Sequence, residues 1–171
     1  MIVLMAGLPG TGKSTLARAL AARIDGSVIG KDEIRHALFS PRDVAYSTEQ
    51  DDFVMGIMLE AATWILRKDP GRIVILDGRT FSRRHQIERV LNSAADLHQP
   101  WRILECVCSD ETARHRIESQ AGAGEHVAGN RTFDLYLDVK ARFEPIPFHK
   151  TVIDTDLPLE ECVNHALAAM G

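Results

Sequence analysis

The chain has 171 residues, 45% of them apolar and 26% charged, and 20 Lys and Arg against 24 Asp and Glu leave a net charge of −4. That balance is too apolar for disorder, lacks the run of about 18 apolar residues that crosses a bilayer, and is too acidic for a general polyanion binder, a local basic patch aside. One globular domain over residues 1–171 is expected.

Met1 to Ala6 is apolar, has no basic lead-in and breaks at Gly7-Leu8-Pro9-Gly10. It reads as a buried strand rather than a signal peptide. Leu16, Ala19, Leu20 and Ile24 recur at helical spacing. Ser27 to Gly30 is a short second strand, followed by a brief helix carrying Ile34, Leu38 and Phe39, and Ser40-Pro41-Arg42-Asp43 breaks it. Ser47 or Thr48 caps a long helix with Phe53, Ile57, Ala61, Trp64 and Ile65 as its apolar stripe, ending before Pro70. Ile73 to Leu76 is a third strand running into Asp77-Gly78, and Ile87, Val90, Leu91, Ala94 and Leu97 mark the next helix. Trp101 to Cys108 is a strand, and Ser109-Asp110 caps a helix through Ile117. The stretch Ala121 to His126 has the composition of a mobile loop. Phe133 to Phe143 is helical, Thr151 to Asp154 is a last strand, and Leu159 to Met170 a final helix. Five strands alternating with helices imply one parallel sheet covered on both faces. Cys106, Cys108 and Cys162 form no CxxC pair; they are expected to be small apolar side chains of a reduced, cytoplasmic protein.

Gly7-Leu8-Pro9-Gly10-Thr11-Gly12-Lys13-Ser14 fits G-x-x-x-x-G-K-[ST] at every fixed position, between a buried strand and an amphipathic helix. The glycines allow backbone conformations that turn successive N–H groups toward one point. The helix starting at Lys13 adds the positive end of its dipole. Residues 7–15, through Thr15, are therefore the expected nucleotide-binding loop, with Lys13 neutralising the β- and γ-phosphates and Ser14 ligating Mg²⁺. No N-K-x-D motif of the kind a guanine-specific switch protein needs is present, and a small transferase that moves the γ-phosphoryl group fits best. A phosphotransferase needs a proton acceptor near the phosphate loop. Asp32, just after the second strand, is the candidate, because the carboxyl ends of parallel strands line the ligand crevice. Arg35 lies one helical turn further on the same side. The competing reading makes Asp32 a helix cap and Arg35 a surface charge.

A phosphate loop followed about twenty residues later by strand-x-x-D-x-x-R resembles the small P-loop kinases related to polynucleotide kinase and chloramphenicol phosphotransferase, an AAA-type ATP-binding group. The resemblance continues through Asp77-Gly78-Arg79-Thr80-Phe81, Phe143-Glu144-Pro145 and Ile153-Asp154-Thr155. It implies a three-layer α/β/α fold with a five-stranded parallel sheet in the order 2-3-1-4-5. It also implies Asp32 as general base, Arg35 contacting the acceptor or the transferring phosphate, and Thr155 on the nucleotide side. In that topology Asp77 holds Mg²⁺ through water or binds the acceptor, or else only shapes an Asp-Gly turn. Arg79, Arg83 and Arg84 form a basic cluster suited to an anionic acceptor, or a solvated helix start. The group closes a lid over the phosphates, here residues 120–131, and inserts an arginine; Arg116 ranks first, then Arg131, with Arg114 turned toward the nucleotide. Gln120 stands where another arginine is expected, and His126 is expected at the surface. The function implied is ATP- and Mg²⁺-dependent transfer of the γ-phosphoryl group to a hydroxyl of a small molecule. A 5′-hydroxyl of nucleic acid is the alternative acceptor, and a nucleotide-binding protein without phosphotransfer the alternative class.

Overall fold

The structure is a computed structural model describing residues 1–123 and 132–171. Its elements run β1 (Ile2–Ala6), α1 (Lys13–Ile24), β2 (Ser27–Gly30), α2 (Lys31–Leu38), α3 (Thr48–Lys68), β3 (Val74–Asp77), α4 (Arg84–Asp96), β4 (Trp101–Val107), α5 (Asp110–Ala123), α6 (Phe133–Ala141), β5 (Thr151–Asp154) and α7 (Leu159–Ala168). The five strands form one parallel sheet in the order β2-β3-β1-β4-β5, as the resemblance implied.

The central strand shows why the sheet has two cores. All five residues of β1 are sealed from solvent, and alternate side chains leave opposite faces of a strand. Ile2, Leu4 and Ala6 pack with α3 and α4, through Val54, Met58, Leu66, Ile87 and Val90. Val3 and Met5 pack with α1 and α7, through Leu16, Leu20, Val163 and Ala166. Each fully buried Leu or Ile stabilises this arrangement by roughly 2 kcal/mol. A third, small cluster of Ala113, Ile117 and Tyr136 joins α5 to α6.

In α3 the stripe expected from the sequence is displaced by one residue. The Ser47 hydroxyl does cap the helix, accepting from Gln50 N–H at 3.2 Å. The buried face, however, is Val54, Met55, Met58, Leu59, Ala62 and Leu66, while Phe53 and Trp64 are exposed. Both stripes have helical spacing, and only contact with the sheet selects between them. The helix stops where expected: Asp69, before Pro70, is extended with φ −137°, because proline disfavours helical geometry in its predecessor. A second correction falls on α5, which continues past Ile117 to Ala123, so residues 121–123 are helical rather than loop.

Among the described residues no helix is long and apolar enough to cross a membrane. The three cysteines are free thiols. Burial pushes the Cys106 thiol up to about 12, as expected of a thiol used for packing.

Candidate active site

Two cavities open at the carboxyl ends of the strands, and both are lined by Lys13. The first lies over the phosphate loop and is also lined by Gly10, Gly12, Ser14, Thr15, Arg116 and Thr155. Gly7, Gly10 and Gly12 have φ of 127°, 76° and 75°, the left-handed values the motif requires. At Gly7 the approach is also close: a Cβ there would sit 2.2 Å from the Cys106 carbonyl oxygen. The N-terminus of α1 has no capping side chain and no acid in its first turn, so its amide donors and dipole are left for an anion.

Lys13 carries a charge yet does not face solvent. It is 6% exposed, with Nζ donating to the Leu8 carbonyl at 2.6 Å. The Thr11 hydroxyl donates to the same carbonyl at 2.8 Å, so the loop is held in shape from within. Arg116 reaches over it from α5, donating to Thr155 O at 2.7 Å and to Thr155 Oγ1 at 3.0 Å. The Thr155 hydroxyl lies 3.0 Å from Thr11 O and 3.1 Å from Val107 O. Thr155 thus ties β5, β4, the phosphate loop and α5 together. Arg114 does not line this cavity. Its guanidinium lies over the Phe133 ring, 4.1 Å from the centroid, because facing Ala113 and Ile117 into the α5–α6 cluster turns position 114 outward. Arg131, His126 and most of the expected lid lie outside the described residues.

The second cavity, of about 360 Å³, is lined from β2–α2, α3, the β3–α4 loop and α6. Asp32 is 6% and Arg35 1% exposed, and they pair at 2.8 Å. Neither bland alternative applies, since Gly30 is the N-cap of α2 with no side-chain cap and Arg35 is no surface charge. Asp51 of α3 accepts from Arg35 and, at 2.9 Å, from Lys31. Lys31 is itself buried, and that desolvation lowers its pKa against the pull of Asp51. Arg35 also lies 5.2 Å from the Tyr46 ring centroid.

The β3–α4 loop is wedged between the two loops it must serve. Gly7 N–H donates to Thr80 O at 3.1 Å, and Gly78, at φ 95°, has room for no side chain, because a Cβ would meet Lys31 Cβ at 2.9 Å. Phe81 is left-handed too, at φ 53° and 1% exposed, a strained backbone two residues beyond Arg79, which lines the cavity. Arg79 is 5% exposed and pairs with Asp52 at 2.7 Å. Its sequence neighbours have other partners. Arg83 pairs with Glu144 at 2.8 Å, and the same carboxylate accepts from Arg84 N–H, capping α4. Arg84 pairs with Glu88 and lies near Phe148, away from the cavity.

Asp77 ends β3 beside the phosphate loop, 3% exposed, and its Oδ1 has no hydrogen-bond partner. A buried carboxylate oxygen in that state is costly unless a cation or donor arrives. The Ser14 hydroxyl lines the nucleotide cavity, whereas Asp77 lines neither cavity; a hydroxyl and a carboxylate are hard-oxygen donors of the kind Mg²⁺ takes one or two of beside phosphates and water. Sequence reasoning missed Lys31, Asp51, Asp52, Tyr46 and Arg142. Asp51 and Asp52 resemble ordinary acids at the start of a helix, and nothing local marks them.

Known proteins place this arrangement in context. An uncharacterized protein of Mycobacterium tuberculosis is 31% identical over 132 residues, which is 71% of this chain and 26% of the relative; the chain therefore spans about a quarter of that relative's length. Among solved structures, a candidate kinase from Chloroflexus aurantiacus superposes with a TM-score of 0.78 at 21% identity, covering 99% of this chain and 98% of that one. The Mycobacterium tuberculosis APS kinase in complex with AMPPNP and APS gives 0.74 at 17% identity, covering 99% and 96%. The fold is that of the P-loop kinases. The AAA domain family model matches residues 2–146, and the chain belongs to that family.

Proposed function

We propose that the chain is a kinase that transfers the γ-phosphoryl group of ATP, with Mg²⁺, to a hydroxyl of a small molecule. The observation that carries this is the meeting of two cavities at Lys13, one over the phosphate loop and one containing the buried Asp32 carboxylate. A protein that only held nucleotide would have no use for the second.

In this reading the loop amides and Lys13 hold the β- and γ-phosphates, Lys13 exchanging the Leu8 carbonyl for phosphate oxygens. Ser14 and Asp77 would hold the Mg²⁺, which supplies charge neutralisation on the transferring phosphate when bound. Asp32 orients the acceptor hydroxyl and takes its proton as the new P–O bond forms. Arg35 keeps that carboxylate in place and, held by Asp51, is itself oriented. Arg116, anchored to Thr155 above the loop, stabilises charge on the transferring group.

The basic lining of the second cavity favours one alternative acceptor, a 5′-hydroxyl nucleic acid end. The test is Asp32→Asn, assayed for ATP consumption with a panel of hydroxyl compounds and a 5′-hydroxyl oligonucleotide. Turnover should fall about 10²–10⁴-fold, the usual worth of a general base, while ATP affinity stays unchanged. Wild-type turnover in the variant would remove Asp32 from the mechanism.

A further inference from the structure

The second cavity carries more positive charge than a neutral acceptor can use. Six Lys and Arg line it against two Asp, in a chain whose net charge is −4. Four of the six have other engagements. Lys13 belongs with the phosphate loop, Lys31 and Arg35 are held by Asp51, and Arg83 by Glu144.

Arg142 remains, together with Arg79, whose pair with Asp52 takes one of its nitrogens. A guanidinium offers five N–H donors in a planar fork that matches phosphate and carboxylate. Arg79 uses Nη1 on Asp52. None of its other nitrogens is sealed without a partner, and the residue lines the cavity. Arg142, at the C-cap of α6, is exposed and lines the same cavity, and its guanidinium has no ion pair or hydrogen bond among the described residues. The two come from separate segments, the β3–α4 loop and the end of α6, and converge on one space.

We infer that these two arginines form an anion subsite and that the acceptor is a small hydroxylated acid bearing a phosphate or carboxylate. The anion binds Arg79 and Arg142 while a hydroxyl faces Asp32, and the hydroxyls of Thr48, Thr80 and Ser82, also in the lining, suit the remaining hydroxyls of such a molecule. A volume of about 360 Å³ is that of a small-ligand pocket, whereas a nucleic acid strand needs a groove that follows its backbone. The placement of the hydroxyl rests on the kinase reading; the anion subsite does not.

The test therefore measures anion binding without turnover. Protein saturated with Mg²⁺ and AMPPNP, which occupies the phosphate loop, is titrated calorimetrically with inorganic phosphate, with gluconate, and with the neutral polyol sorbitol. Arg142→Gln is the key variant, because Arg142 is exposed and its loss strands no buried acid, unlike Arg79→Gln, which leaves Asp52 unpaired. Phosphate or gluconate should bind the wild type with Kd of roughly 1 mM or tighter, sorbitol should bind at least tenfold more weakly, and Arg142→Gln should weaken the anion at least tenfold. The two anions separate a phosphate-bearing from a carboxylate-bearing acceptor. Equal binding of anions by wild type and variant, or no anion binding at all, overturns the subsite. ATP consumption with the same compounds is then read separately. Preference for a neutral polyol or for an oligonucleotide overturns the acceptor class while leaving a kinase. Anion binding that depends on Arg142, with no turnover of any compound by a Lys13-competent enzyme, leaves the subsite and overturns the kinase reading.

Discussion

The two cavities that meet at Lys13, the donor and acceptor sides of the proposed kinase, are made in different ways. The donor side is mostly backbone: nine consecutive residues, three left-handed glycines, a helix terminus, and internal hydrogen bonds onto the Leu8 carbonyl. The acceptor side is mostly side chain. Asp51, Asp52, Lys31, Arg35 and Arg79 come from three segments and hold one another through buried or half-buried ion pairs. A backbone site depends on a few conformations, and is lost when one of them fails. A side-chain site depends on charge balance over long sequence separations, so its members can be removed singly with graded effects.

The largest effect should come from the point where the two meet. Lys13→Ala should lower turnover by about 10³-fold or more, because it removes a charge that acts on the transferring phosphate. The structure adds a stability cost that a solvent-facing lysine would not have, about 1 kcal/mol for a buried side chain and its hydrogen bond, read as a shift in urea midpoint. Turnover near wild type would detach the phosphate loop from the reaction.

A smaller effect separates two arginines one residue apart. Arg116→Ala removes the anchor to Thr155 and should cost about 10²-fold in turnover. Arg114→Ala, which only uncovers Phe133, should change turnover by less than about threefold and stability by roughly 0.5–1 kcal/mol. Steady-state kinetics of both variants check the ranking, and the reverse order would mean that α5 turns on binding nucleotide.

On the acceptor side alone, Asp51→Ala leaves Lys31 and Arg35 without their shared acid. Stability should fall by about 1–3 kcal/mol and acceptor KM should rise roughly tenfold, with ATP affinity unchanged. A loss of ATP affinity instead would show that the two sides are not separable.

The smallest effect is on the donor side's supporting strand. The buried Cys106 thiol is held near pKa 12, above its unfolded value near 8.5–9. Above pH 9 the unfolded chain releases this proton and the native chain keeps it, so the native state binds more protons and stability falls as pH rises toward 12. The slope from this group is at most about 1.4 kcal/mol per pH unit. Urea unfolding between pH 9 and 11 should show the decline, and Cys106→Ala should make it shallower.

These differences track what could be read in advance. The phosphate loop was legible because its chemistry is local: the glycine conformations, the lysine and the helix start all lie within one motif. The strands were legible because burial on both faces leaves continuous apolar runs such as Ile2–Ala6 and Val74–Leu76. Arg79, Arg83 and Arg84 looked alike in sequence and proved to be three different things, and only their partners distinguish them: Asp52 for Arg79, Glu144 for Arg83 and Glu88 for Arg84.

The sequence by itself determined the element order, the β1–loop–α1 unit and Asp32 with Arg35 on one turn of α2, since each follows from spacing over a few residues and from backbone sterics. Tertiary structure decided which stripe of α3 faces the sheet, that Lys13 is buried, that Arg114 points to Phe133, and that Asp51 and Asp52 hold cations from α2 and from the β3–α4 loop. Those outcomes depend on which distant groups share a desolvated space. There an unpaired charge costs several kcal/mol, and no local pattern in the chain reports which partner will be there to meet it.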